Sequence, residues 1–516
     1  MDSAPSSPLP PARSALARFG IFLLALGALL YAVLLIENVG GYAGGSDSSG
    51  YMNDARLLLE GRVHVPPRAI AEMPAARTPS YFYVPLGFKP APDHDGLVPT
   101  YPAGLPLFIA AAAALIGWEH AADVALVLHG LAGVLLTFAL ARRFGLSLRW
   151  AAVAAIALGV SPLYLMMAVQ PMSDVPALVW TSAAVLAAWE AGRAPAVRSL
   201  RWALAAGAAF AFAVLVRPTD LLALAPVAIA LGFGVRRWLA FVAGGLPGGI
   251  FFFALNRLAY GKFLTTGYGD TTEMDLHLVP ATLVHYAQWL PALFTPVVLG
   301  IFALPALRRT PRIAWVLAAW IVAIAGFYAA YYFTHETWWY LRFILPAAPA
   351  LVIGGLLGLR AVLARFMTPL RSCLCLALAL LVCGINGGYW AKKFKPLNSG
   401  RGEDVYPLAA AWLREHAPAN AVVVAMQTSG SLHFYTNFTL VRWDQIQPAD
   451  YATLVAALRA SGRPLYAALF PFEEEEALKT RLPGRWTQIG SVRQATFWQW
   501  SPAPADVAPA AGAAAR

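Results

Sequence analysis

Apolar runs of roughly 17–23 residues, long enough to span a bilayer, recur from near the N-terminus to about residue 390. That repetition predicts an all-α polytopic membrane protein. Only 13% of residues are charged, about half the share of a soluble domain. A formal net charge of +11 can mark a nucleic-acid surface, but here the arginines sit in short connections between apolar runs, where they orient helices. No nucleic-acid partner is expected. Cys373, Cys375 and Cys383 all fall inside one apolar run, which fits neither a disulfide framework nor a zinc site.

The runs lie near 18–37, 103–117, 121–141, 150–168, 174–190, 202–217, 220–234, 238–256, 287–307, 313–333, 343–363 and 371–389. The first is longer than a signal-peptide core, has no clear cleavage site after it, and reads as a spanning helix. Run 103–117 is too short for a comfortable span and carries Gly and Pro near its start, so it reads as interfacial or re-entrant. With that segment not crossing, fourteen arginines, from Arg142 to Arg371, fall on the same side as Arg13 and Arg18. The opposite short connections hold only Arg217, Arg257, Lys262 and Arg342. The positive-inside rule then gives eleven spanning helices, a cytoplasmic N-terminus and an external C-terminus.

This divides the chain into a disordered cytoplasmic stretch 1–17, a membrane domain 18–390 with an external loop 38–102, a small external α/β domain 391–500, and a disordered tail 501–516. The α/β reading rests on AVVVAM (421–426), SLHFYTNFTLVRW (431–443), PLYAALF (464–470) and ATFWQW (495–500), read as strands between helical stretches such as YPLAAAWLREH (406–416). EEEEALKTRL (473–482) reads as a solvated helix. Asn437 in NFT is a glycosylation sequon of a kind that also arises by chance.

Charges are nearly absent from the middles of the runs. His129 is the exception, and a packed, hydrogen-bonded histidine is its simpler reading. Proton-coupled carriers place acids or lysines at mid-membrane. A transporter or flippase of lipid-linked saccharides would also show an internal repeat, and none is visible; a non-catalytic membrane scaffold is the other alternative, and it would tolerate loss of Asp47 and Arg342 together. Polar residues instead gather at the expected external helix ends: Asp47, Tyr51 and Asp54, then Asp174, then Arg217 and Asp220, then Arg257, Lys262, Asp270, Glu273 and Asp275, then His335, Glu336 and Arg342. Several segments thus converge on one level of the membrane, where a lipid-borne head group meets water. The acids 270, 273 and 275 lack the regular spacing of a calcium loop and read as a flexible connection.

The stretch DSSGYMNDARLLLEGRV (47–63) resembles the first external loop of the GT-C superfamily of polyprenyl-phosphate-dependent glycosyltransferases. YPAGLPLFIAAAAALIG (101–117), RRFG (142–145), SPLYLMMAVQPMSDVPALVW (161–180) and LRFILPAAPAL (341–351) resemble the segments that follow, in the same order. The pattern is most similar to the dolichyl-phosphate-mannose protein mannosyltransferase branch, in its family 39-like bacterial members. The resemblance covers roughly residues 18–390. It implies that Asp47 is the acid/base residue and that the donor is a sugar on polyprenyl phosphate. The leaving phosphate then needs a cation, and Arg342, Arg217, Arg257 and Lys262 are the candidates, with Tyr51, Asp174, His335 and Glu336 as further substrate-site residues. Asp47 can instead cap a helix starting near Ser49, Asp174 can cap the helix it precedes, and Arg342 can anchor at the interface beside Trp338, Trp339 and Tyr340. The residue after the first-loop aspartate is often Glu in the superfamily and is Ser48 here, which argues against a metal-bridged site. No cofactor beyond the lipid-linked donor is expected, and the acceptor, whether protein, lipid or polysaccharide, is left open. The Ala- and Arg-rich composition fits a bacterial inner or plasma membrane. A reporter fused after residue 145 is expected to read cytoplasmic and one after residue 270 external. A cytoplasmic signal at 270 would overturn this orientation.

Overall fold

The structure, a computed structural model, describes residues 11–92, 96–268 and 273–501. Residues 1–10 and 502–516 of the expected terminal tails, and Asp270, lie outside them. Helix α1 (Pro11–Asn38) begins inside the stretch expected to be disordered, so residues 11–17 are helical. After it come α2 (Ser46–Leu59) and a two-stranded antiparallel ribbon, β1 (Phe88–Pro90) with β2 (Leu97–Pro99). Helix α3 (Gly104–Ile116) has 13 residues, short of a full span. Its Leu105, Ile109 and Ala113 pack beneath Tyr51, Met52 and Ala55 of α2, so α3 serves as the platform on which α2 lies.

The membrane part continues with α4 (Ala121–Arg143), α5 (Leu148–Gly159), α6 (Pro162–Ala168), α7 (Asp174–Ala191), α8 (Ala196–Val216), α9 (Leu224–Leu231) and α10 (Val235–Tyr260). It closes with α11 (Val279–Leu293), α12 (Pro311–Tyr328), α13 (Ala348–Leu363) and α14 (Pro369–Phe394). Among the described residues, seven helices are long and apolar enough to cross a membrane, and two bent pairs raise the figure to nine. The pairs bend by 66° between α5 and α6 and by 112° after α11, where Pro162 and Pro296 open the second members. By length and hydropathy that is two fewer than the expected eleven. The shortfall is α7, which carries Asp174, Glu190, Thr181 and Ser182, and the short apolar segment Pro218–Leu231.

Helix α13 is buried along Ala348–Gly358 and, with α7, forms the centre of the bundle. Helices α1, α10 and α14 are peripheral and present Leu30, Ile36, Leu239, Ile250, Leu378 and Ile385 outward. An apolar exterior over a small-residue interior is the arrangement that lipid selects.

Beyond α14 lie α15 (Asn398–Gly402), α16 (Val405–His416), β3 (Val422–Val424), α17 (Ser429–Tyr435), β4 (Thr439–Val441), α18 (Pro448–Ser461), β5 (Leu465–Leu469), β6 (Arg485–Val492) and β7 (Ala495–Ser501). The strands form one sheet in the order β4-β3-β5-β7-β6, parallel on the first side and antiparallel on the second. This is the small α/β region read from the sequence, with three corrections. Residues 431–435 belong to helix α17 rather than to a strand. Glu473 is fully buried rather than solvated, and its carboxylate accepts from Trp443 Nε1 at 2.8 Å and from the Phe470 N–H at 2.8 Å. The sheet reaches Ser501, the first residue of the expected tail.

This region is fastened onto α2. Asn53 Nδ2 donates to the Gly430 carbonyl at 3.0 Å, Arg56 to the Phe434 carbonyl at 2.8 Å, and the Ala43 N–H to the Tyr435 hydroxyl at 3.0 Å. The glycines before α2 serve this close approach. A Cβ on Gly40 would fall 2.0 Å from the Gly400 carbonyl oxygen, and one on Gly44 would fall against the Glu403 carboxylate.

Candidate active site

Asp47 is the second residue of α2, and Gly45 holds the cap position with no side-chain cap bond. Asp47 is therefore not a helix cap. It lies in the first turn, where the helix dipole favours a carboxylate, and points at another chain segment. That segment is the 3-10 stretch Trp338–Ala347, which leads into α13 and carries Arg342. Arg342 Nη2 donates to Asp47 Oδ2 at 2.7 Å, with the two side chains 16% and 22% exposed. Tyr101 also hydrogen-bonds to Asp47, and its hydroxyl is 2.9 Å from Ser46 Oγ. Burial pushes the Asp47 carboxyl up, but the Arg342 guanidinium and the Tyr101 hydroxyl together outweigh it and hold it below the usual carboxylate range.

A second ion pair stands beside the first. Asp174 opens α7, and Arg217 follows the last residue of α8. Arg217 Nη2 donates to Asp174 Oδ1 at 2.6 Å, and these side chains are 5% and 1% exposed. Arg217 also reaches Ser173 Oγ and the Phe343 carbonyl. Both guanidiniums flank the Phe343 ring, at 5.9 Å for Arg217 and 5.2 Å for Arg342.

The two pairs line one cavity of about 470 Å³. Tyr51, Tyr101, Tyr268, Lys89 and Glu273 complete its polar wall, and Met172, Phe327, Tyr331 and Phe333 close it on the side of the helix ends. Arg342 Nε is buried with no hydrogen-bond partner among the described residues. The cavity thus offers a partly exposed carboxylate, two guanidiniums and an unused N–H donor, the groups needed to hold an anion next to a base.

Five of the residues expected from sequence meet here: Asp47, Tyr51, Asp174, Arg217 and Arg342. Four do not. Arg257 is exposed on outer helix α10 and bonds the Gly261 carbonyl, and Lys262 is exposed beside it. Glu336 is exposed, and His335 lies beyond Tyr331 and Phe333, which take the lining positions. Asp54 is buried away from the cavity, and burial pushes its carboxyl up to about 8. Asp220 accepts from Thr181 Oγ1 and is not in the lining. His129 lies between the Ala125 carbonyl and Trp180 Nε1, a packed histidine.

Tyr101, Tyr268 and Lys89 were not anticipated as site residues, although Tyr101 lies inside the motif YPAGLP. The connection bearing Glu273 is tied down rather than flexible at its C-terminal end: the Tyr332 N–H bonds the Glu273 carbonyl, and Met274 bridges Tyr331. Asp275 caps the turn at His277. Glu403, from the start of the α/β region, accepts from the Gly45 N–H at 3.3 Å, behind Asp47. No signal in the sequence pointed to it. Among the described residues no group of His, Cys, Asp and Glu is arranged to hold a metal. A hollow of about 720 Å³ near Leu23, Arg149 and Cys373 has one cation and no carboxylate, so it is not a competing site.

No protein-family model matches the chain, and no curated protein sequence matches it. Solved structures do. ArnT from Cupriavidus metallidurans, bound to undecaprenyl phosphate, is 16% identical with a TM-score of 0.57, over 93% of this chain and 97% of that one. Arabinofuranosyltransferase AftD from Mycobacteria is 16% identical with a TM-score of 0.55, over 93% of this chain and 40% of its own length. The Archaeoglobus fulgidus oligosaccharyltransferase is 13% identical with a TM-score of 0.53, over 89% and 69%. The chain has the fold these proteins share.

The two ion pairs differ in what they do for the fold. Asp174→Asn leaves the Arg217 charge buried without its partner and is expected to cost about 3–5 kcal/mol of stability. Thermal unfolding in detergent checks this: Asp174→Asn should unfold well below wild type, and Asp47→Asn should stay close to it.

Proposed function

We propose that this chain is an integral-membrane glycosyltransferase that moves one sugar from a polyprenyl-phosphate donor to an acceptor on the external side. The observation that carries the reading is the Asp47–Arg342 contact inside a cavity at the helix ends, with a further N–H of Arg342 unused. The fold supports it, because ArnT, of similar fold, was captured with undecaprenyl phosphate. The narrower likeness to the protein mannosyltransferase branch rests on the sequence motifs alone. The arginine distribution supports the orientation, with the N-terminus cytoplasmic and the α/β region external in a bacterial inner or plasma membrane.

In this reading the polyprenyl chain stays in lipid and the phosphate enters between Arg342 and Arg217. The acceptor hydroxyl attacks the anomeric carbon, and its proton passes to Asp47. As the new C–O bond forms, the bond from the sugar to the phosphate oxygen breaks, and the electron pair leaves with the phosphate. The guanidiniums stabilise that charge, so the step needs one base, a cationic cradle and no metal. The contact at 2.7 Å also couples donor binding to basicity. While Arg342 faces Asp47 alone, the carboxylate is a poor base. A phosphate that takes over part of Arg342, and brings its own negative charge, raises the proton affinity of Asp47 at the moment a base is required.

Asp47→Asn removes the base and keeps the shape. It is expected to lower sugar transfer about 10²–10⁴-fold in membranes containing normal amounts of the protein. The assay is transfer of label from the lipid-linked sugar, and unchanged transfer would rule out Asp47 as the base.

A further inference from the structure

A second hollow adjoins the first. It has a volume of about 430 Å³, within the range of ligand clefts, and shares Lys89 and Thr100 with the cavity that holds Asp47. Its walls come from two parts of the chain. The first loop supplies Ser46, Tyr81 and the stretch Leu86–Phe88, and the α/β region supplies Arg442 and Gln445. Ser46 is the neighbour of Asp47, and its Oγ lies 2.9 Å from the hydroxyl of Tyr101, a wall residue of the first cavity. The lining of the first cavity runs toward the helix ends, and this one opens between the loop and the α/β region. The two meet at Lys89 and Thr100.

We infer that this cleft is the acceptor site and that it takes the hydroxyl-bearing end of a saccharide. The inference rests on the glycosyl-transfer reading above and adds the acceptor class. Charge on the α/β wall is already balanced. Arg442 is held by Asp444 through two hydrogen bonds of 2.7 and 2.5 Å, and Gln445 Nε2 donates to the same carboxylate at 2.8 Å. The cation of the α/β wall is therefore already neutralised, and an acidic acceptor gains little there. Chemistry argues for a sugar. The hydroxyls of Ser46 and Thr100 and the amide of Gln445 suit a rim of hydroxyl groups. Tyr81, 41% exposed, offers an aromatic face to the apolar C–H face of a sugar ring.

The backbone argues against a peptide, which binds extended by pairing with a free strand edge. Here the Leu86 N–H is used by Ser429 Oγ, the Gly87 carbonyl by the Thr100 N–H, and the Phe88 N–H by the Pro85 carbonyl. The wall is held in place as well. Arg442 reaches the Val84 carbonyl with its side chain and the Phe82 carbonyl with its backbone N–H. The α/β region thus completes the cleft.

The test uses the full chain with Gln445→Trp, a plug in the α/β wall, and Tyr81→Ala, a truncation on the opposite wall. Cells are fed radiolabelled glucose so that all their sugars carry label. Label in the lipid-linked donor and in the product is measured, and each purified protein is tested for binding of undecaprenyl phosphate. The expected result is product reduced roughly tenfold or more by Gln445→Trp and severalfold by Tyr81→Ala, with labelled donor accumulating. Undecaprenyl phosphate should bind both variants as it binds wild type, and the product should resist protease. Wild-type amounts of product from both variants would overturn the inference, and so would a protease-sensitive product, which marks a peptide acceptor. A wild-type protein that does not bind undecaprenyl phosphate would instead remove the donor reading on which the inference rests.

Discussion

The contact between Asp47 and Arg342 joins residues 295 positions apart, one from the first loop and one from the lead-in to α13. Neither charge is placed by its own element alone. Asp47 depends on α2 lying flat on α3, through Tyr51, Met52 and Ala55 against Leu105 and Ile109. Arg342 depends on the 3-10 stretch that ends at Pro346 and Ala347 against the buried start of α13. The neighbouring Asp174–Arg217 pair is sealed, with side chains 1% and 5% exposed, and acts as a fixed wall. The Asp47–Arg342 pair keeps partial access to the cavity. A sealed pair holds geometry, whereas a partly open one can exchange a partner, and in the proposed reaction that exchange is with the donor phosphate.

The α/β region belongs to this arrangement and is not an appendage. It holds α2 and the segment before it, through Asn53, Arg56 and the bond from the Ala43 N–H to the Tyr435 hydroxyl. Arg68, from the first loop, reaches the carbonyls of His433 and Thr436, and the Leu86 N–H reaches Ser429. A site built from a loop helix is precise only when a second layer of contacts locks that helix. Glu403 at the Gly45 N–H is the part of that layer nearest Asp47.

Much of this was legible in sequence, for physical reasons. Run lengths and arginine placement report on insertion into lipid, so the helices and the level of the site could be read directly. Charges at helix ends are few, and Asp47, Asp174, Arg217 and Arg342 stood out among them. Depth in the membrane is only one coordinate, however. Arg257, Lys262, His335 and Glu336 are expected at the level of the site but do not line the cavity, and nothing in a linear pattern states azimuth. Tyr101 and Tyr268 carry no charge, and only the fold brings them to the cavity wall. Glu403 was hidden because its importance comes from a contact across 358 positions. The stretch 431–435 alternates apolar and polar residues as a strand would, yet it folds as a short helix whose Phe434 packs with the α2–α3 cluster. Tertiary contact decided there against local pattern.

The central claim is that Asp47 and a donor phosphate compete for Arg342. Binding of undecaprenyl phosphate to the purified chain tests it directly, by comparing wild type with Asp47→Asn and Arg342→Ala. Removing the competing charge should tighten binding, and removing the guanidinium should weaken it roughly tenfold or more, the worth of one charge-assisted hydrogen bond. Equal affinity in all three proteins would contradict the account.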